Sequence, residues 1–204
     1  MVMPTDTPRT NPVTSAADPR PLIGEPLSID LLNTRWIDGD GRHDLLTDVE
    51  GLAVWLSSPH VRSALGDLTS EADDVTLERL LLARTALDGL IATLPDFDGE
   101  AVASANATLA HGWIERSLAE EGPLSVVRVD VPSWGPAWAA IDDFLRLVGE
   151  RPDRIRPCAN PACILHFYDI SKSGRRRWCS MSGCGNRAKA QRHYQRTTKG
   201  SASS

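Results

Sequence analysis

The sequence predicts an α+β fold: a mostly helical N-terminal domain with a β-hairpin, followed by a small C-terminal module organised by four cysteines. Three observations carry this expectation. Leu77, Leu80, Leu81, Leu87, Ile91 and Leu94 recur at spacings of three, four or their sums, the pattern of a long amphipathic helix. Ser125 to Val131 is β-branched and partly alternating, and Glu121-Gly122-Pro123 joins it to an arm at Trp113 to Leu118. Cys158, Cys163, Cys179 and Cys184 are the four cysteines of the chain, and all fall within 27 residues as two spaced pairs.

Residues 1–20 carry Pro4, Pro8, Pro12 and Pro19 among Thr, Ser and Asp, with no apolar run. They read as a disordered tail rather than a secretory signal. Composition changes at Pro21, and residues 21–150 form the first domain. Leu27 to Leu32 is apolar enough to be buried, although its periodicity does not settle helix against strand. Asn33 and Thr34 close it as capping or turn residues. Trp36 to Gly41 reads as a turn. Thr47-Asp48-Val49-Glu50 has the capping-box form, with Thr47 as N-cap, and opens a helix that buries Leu52, Trp55 and Leu56. That helix stops before Ser58-Pro59. The long helix runs from Glu71 to Leu94, with Arg79 and Arg84 on its solvated faces and Pro95 ending it. A shorter helix spans Glu100 to Ala110, entered through Asp98-Gly99. Beyond the hairpin, Trp138 to Val148 forms an amphipathic helix with Ile141, Phe144, Leu145 and Val148 inward. Gly149-Glu150-Arg151-Pro152 ends it and marks the domain boundary.

Residues 151–197 form the second module, ahead of a short disordered tail at 198–204. Each cysteine pair has four residues between its members, and fifteen separate the pairs. Two such knuckles bend around opposite edges of a tetrahedron, which suits a closed four-thiolate site for a structural Zn2+. Disulfides need an oxidising compartment, and ferredoxin-type iron–sulfur sites use other spacings. Neither His166 nor His193 is needed as a ligand. Ile164 to Tyr168 reads as a strand whose partner starts at Trp178-Cys179, and Gly185 to Arg196 as a helix beginning at or near Cys184. Knuckle, hairpin and helix in that order are treble-clef-like. So short a segment cannot fold on its own apolar core, and metal binding is expected to supply part of its folding energy.

The formal charge of −5 hides an asymmetry. Residues 1–150 hold 10 Lys and Arg against 25 Asp and Glu, while residues 151–204 hold 12 against 2, so the two parts carry −15 and +10. A basic module beside an acidic body is the footprint of a polyanion binder. Arg175, Arg176, Arg177, Arg187, Lys189, Arg192 and Arg196 are the residues expected to contact nucleic acid, with double-stranded DNA as the partner. Arginine forks grip phosphate and can read guanine. Part of the positive charge offsets the thiolates. Trp178 packs beside the metal. The chain has no Walker A loop, His-Glu-x-x-His, Gly-x-Ser-x-Gly or dinucleotide fingerprint, so no enzyme activity is expected. No apolar run reaches membrane-spanning length, and the reduced thiols point to the cytoplasm.

Cys158-Ala159-Asn160-Pro161-Ala162-Cys163, then Ser173-Gly174-Arg175-Arg176-Arg177-Trp178-Cys179-Ser180-Met181, then Cys184-Gly185-Asn186-Arg187-Ala188-Lys189 resemble the CGNR zinc-finger family. The family takes its name from the tetrapeptide matched here by Cys184 to Arg187. The aliphatic stretch closing in Asn33-Thr34, and Leu46-Thr47-Asp48 with Leu52, Trp55 and Leu56, resemble the ABATE-type domain that such proteins carry ahead of the finger. The resemblance implies a zinc-containing transcription regulator of the kind described as stress-induced. Its finger would bind DNA, and its N-terminal domain would sense a signal or form a homodimer. Two other readings fit the same residues. One is a zinc-stabilised protein-interaction module, whose basic segment docks on the acidic body or on an acidic partner. The other is a thiol–zinc redox sensor.

Overall fold

Asp48, Asp73 and Asp98 each turn a carboxylate onto free amides of the helical turn that follows, and so set where three helices begin. The computed structural model describes residues 17–190, so Arg192, Arg196, His193 and the tail at 198–204 lie outside the described residues. The elements run in the order α1 (Leu27–Leu32), β1 (Arg35–Asp38), β2 (Gly41–Asp44), α2 (Val49–Ser57), α3 (Pro59–Leu65), α4 (Asp74–Ala92) and α5 (Gly99–Leu109). β3 (Gly112–Ala119), β4 (Gly122–Val129), α6 (Gly135–Glu150), β5 (Ile155–Pro157) and β6 (His166–Tyr168) follow. Three two-stranded antiparallel hairpins, β1–β2, β3–β4 and β5–β6, accompany the helices. The architecture is α+β, as the sequence predicts. No helix of the described residues is long and apolar enough to cross a membrane.

The core lies between α1, α2, α4, α5 and α6. Ile29, Leu31, Trp55, Leu80, Leu87, Ile141, Phe144 and Leu147 are its most buried members. Their burial supplies the main drive for this half of the chain to fold. The long helix keeps its expected face, with Leu77, Leu80 and Leu87 buried and Leu81, Ile91 and Leu94 packed at the margin. The apolar stretch before Asn33 resolves as a helix with all six side chains buried.

Several expectations are corrected. The turn expected at Trp36 to Gly41 is the β1–β2 hairpin, with Arg35 opposite Asp44 and Trp36 opposite His43. Its strands are too charged to show an alternating apolar signal, and Trp36 alone in β1 is buried, stacked on His43. The cap of α2 is Asp48 and not Thr47: the Gly51 amide donates to Asp48 Oδ1 at 2.8 Å. Gly51 has to be glycine, because a Cβ there would meet the Leu45 carbonyl oxygen at 1.6 Å. Arg84 is not solvated. It is buried on α4 and forks onto both oxygens of Asp44, at 2.7 and 2.8 Å, with Thr34 Oγ1 at 2.8 Å. Arg79 reaches Ser133 and lies over the Trp134 ring. On α6, Leu147 takes the inward place next to Phe144, and Leu145 turns out to solvent.

Arg20, assigned by sequence to the tail, is packed. Its guanidinium meets Asp30 Oδ1 at 2.5 Å and Asp18 Oδ2 at 2.7 Å, and the Trp55 indole N–H donates to the same Asp30 oxygen at 3.0 Å. A buried carboxylate satisfied by a guanidinium and an indole anchors the start of the first domain to α1 and α2.

Candidate metal centre and basic face

Two cysteine knuckles build the centre. In the first, the Asn160 side chain accepts from the Ala162 amide at 3.2 Å, and its carbonyl accepts from the Cys163 amide at 2.9 Å. This folds Cys158 and Cys163 toward each other. In the second, Ser180 Oγ accepts from the Gly183 amide at 3.0 Å and caps a π-helical turn, Met181–Gly185, which presents Cys184. The final helical run therefore starts before Cys184 and continues through residues 186–190. The strand partner also differs from expectation. β6 pairs with β5, upstream of the first cysteine, while the Arg177 carbonyl accepts from the Ala159 amide beside the knuckle.

All four cysteines are free thiols, and their sulfurs lie within 4.8 Å of one another, with Cys163 and Cys179 at 3.9 Å. A tetrahedral zinc with Zn–S bonds of about 2.3 Å sets its sulfurs about 3.8 Å apart. The donor set therefore fits a closed four-thiolate zinc site, and no histidine belongs to the cluster among the described residues. Electrostatics point the same way. Hydrogen bonding from Cys179 draws Cys163 down to about 5, while sharing that proton pushes Cys179 up and burial pushes Cys158 up. Thiolates this close repel, and a cation between them lets all four ionise. Two donors already aim at sulfur: Asn160 Nδ2 at 3.3 Å from Cys184 and the Cys179 amide at 3.4 Å from Cys158. Such contacts orient the ligands of a metal site.

The centre is tied to the first domain. Trp36 shares an apolar cluster with Leu165, Phe167 and three of the cysteines. Asn33 pairs with the His166 backbone in both directions, its Nδ2 donating to the carbonyl and its Oδ1 accepting from the amide, each at 2.9 Å. Glu25 accepts from the Tyr168 amide at 3.0 Å and from Arg176 at 2.9 Å. Sequence reading missed these three anchors. The sole hint was the Asn33-Thr34 motif, since Glu25 and Trp36 find their partners far along the chain.

The basic residues divide into two sets. Arg176 is consumed within the fold. It donates to Glu25 and to the carbonyls of Trp178 and Cys179, lies 4.3 Å over the Phe167 ring, and has its amide on Asp169. Arg176, expected among the nucleic-acid contacts, is thus a half-buried residue bonded within the fold. Arg154 reaches Asp169 and Asp153, and Arg156 reaches Asp169. Burial disfavours the charge on Asp169, but hydrogen bonds from Ser171 and Arg176 outweigh it and hold the carboxyl below its ordinary value. Arg175, Arg177, Arg187 and Lys189, by contrast, are all exposed. Arg177 lies 5.2 Å over the Trp178 ring, which packs on the cysteine cluster as expected.

A family model described as "Putative stress-induced transcription regulator" (ABATE) matches residues 25–151, more than half of the chain. The chain belongs to the ABATE family. The CGNR zinc finger matches residues 154–197, so the cysteine cluster falls wholly within the finger. No curated protein matches the chain. The ABATE part supplies Glu25, Asn33 and Trp36 to the seam, and the finger supplies His166, Tyr168 and Arg176.

Proposed function

We propose that this ABATE protein is a transcription regulator whose finger folds around a structural Zn2+ and grips double-stranded DNA. Cys158, Cys163, Cys179 and Cys184 hold the ion, which supplies neutralising charge and fixes the two knuckles. Arg175, Arg177, Arg187 and Lys189 contact phosphate, and the ABATE domain senses a signal or dimerises.

One observation carries this reading. None of these four cations has an ion-pair partner among the described residues, whereas Arg154, Arg156 and Arg176 are each matched to Asp153, Asp169 or Glu25. The fold satisfies these structural arginines with its own carboxylates and leaves the other four cations exposed. Uncompensated guanidiniums on a small metal-stiffened module suit the regular charge of a duplex backbone. Arg192 and Arg196 continue the basic segment in the sequence.

Fluorescence anisotropy of the zinc-loaded full-length chain with duplex DNA tests the reading. Binding is expected to weaken as salt rises. Changing Arg175, Arg177, Arg187 and Lys189 together to glutamine should lower the slope of log affinity against log salt by about 0.9 for each phosphate no longer neutralised. Absence of low-salt binding, or an unchanged slope in the fourfold variant, would overturn it.

A further inference from the structure

A cavity of about 390 Å³ opens on the basic face, lined by Ala159, Asn160, Pro161, Arg177, Trp178 and Arg187 among others. Among the described residues, no acidic side chain lines it. The first cysteine knuckle lines it together with two exposed guanidiniums and a half-buried indole. Arg177 and Trp178 form a cation–π pair, with the guanidinium carbon 5.2 Å from the ring centroid. Arg187 reaches the same space from the final helix. An indole beside two exposed cations suits a ligand with one planar base and one phosphate.

Two other cavities are less suited, although the second shares Trp178 and Arg177 with this one. The one beside α6 is lined by Asp67, Asp142 and Asp143, which repel an anion. The one around Arg175, Arg176 and Arg177 has its central guanidinium committed to Glu25.

We propose that this cavity takes a single unpaired nucleotide, its base laid against the Trp178 indole and its phosphate held by Arg177 and Arg187. The nucleotide comes either from a single-stranded end or loop of nucleic acid or from a free mononucleotide. This rests on reading the finger as a nucleic-acid contact and extends it, because a fully paired duplex keeps its bases stacked and presents none to the cavity. The finger thereby distinguishes a duplex with an open end from a closed one.

The test compares a blunt duplex with the same duplex carrying a single-stranded thymidine overhang, both titrated with the zinc-loaded full-length chain. The overhang should tighten binding about tenfold, the scale of one base stacked on an aromatic ring. Trp178→Leu should erase that gain. Because Trp178 packs on the cysteine cluster, Ala162→Leu provides a second variant. Ala162 is exposed and lines the same cavity, so a leucine there takes up part of its space while Trp178 itself is kept. Competition by thymidine monophosphate identifies the free nucleotide as the occupant. A persisting overhang gain without competition identifies the strand. An equal affinity for both duplexes with no mononucleotide binding would overturn the proposal, as would a gain that survives both variants. Blunt-duplex binding that fails while the overhang still binds would reject the duplex reading alone.

Discussion

Arg176 spends its guanidinium on bonds within the fold. Its guanidinium bridges Glu25 of the first domain to the Trp178 and Cys179 carbonyls and covers the Phe167 ring. Removing it leaves the nearly buried Glu25 carboxylate with the Tyr168 amide alone, and leaves two carbonyls without their donor. Breaking such a pair from one side costs about 2–4 kcal/mol. Arg176→Gln is therefore expected to lower unfolding stability in urea by about that amount, whereas exposed Arg175→Gln should stay within about 0.5 kcal/mol. Equal stability of the two variants would remove the structural role given to Arg176. In the sequence, the three arginines of the run are indistinguishable, because what separates them is a partner in the other domain. The four cysteines were legible because their spacing is itself the geometry of the site. Asn160 and Ser180, which shape the knuckles, were hidden among ordinary polar residues.

Short elements make the seam between the domains, and it behaves like a strand edge. Asn33, at the end of α1, offers its amide to β6 as a neighbouring strand would, closing both hydrogen bonds of His166. Burial holds the His166 imidazole below its ordinary value of 6.5, with Asp88 opposing the shift and Arg35 reinforcing it. The sign follows directly. The unfolded chain takes up a proton near 6.5 while folded His166 stays neutral, so the unfolded state binds more protons below that pH. Stability is thus full above about 6.5, falls as the pH drops below it, and levels off near the lower folded value. Urea midpoints across that range should fall less steeply for His166→Gln than for the unchanged chain. An identical pH slope would rule out burial of this imidazole as a contributor. At this scale, legibility followed locality. α4 and α5 carry their own caps and apolar faces, so sequence placed them to within a few residues. β1, β2 and β5 are strands of three or four residues, too short for alternation to appear, and β6, legible as a strand, pairs with β5 rather than with the segment at Trp178-Cys179.

The whole molecule has two apolar clusters of unequal kind. One is a helical core around Trp55, Leu80, Leu87 and Phe144, large enough to sustain itself. The other gathers Trp36, Leu165, Phe167 and three cysteines, and its size alone cannot hold the finger together. Structural zinc in finger peptides contributes roughly 10–16 kcal/mol, which exceeds what so few buried side chains supply. Metal removal should therefore act in two ranks. The finger unfolds, releasing Trp36, the Asn33 pairing and the Glu25–Arg176 bridge, while α4, α5 and α6 persist because they pack within the first cluster. Chelation should shift tryptophan emission to the red as Trp36 and Trp178 meet water, with most of the helical far-ultraviolet signal retained. Hydrogen exchange should show protection vanishing in residues 155–190 and weakening in α1, but kept in the middle of α4. Collapse of the helical signal together with the tryptophan shift would mean that the two clusters form one cooperative unit. No shift at all would mean that the cysteine cluster holds without a metal. In the expected two-step case, metal occupancy of the finger reaches the ABATE domain through α1 and β1, the elements that carry Asn33 and Trp36.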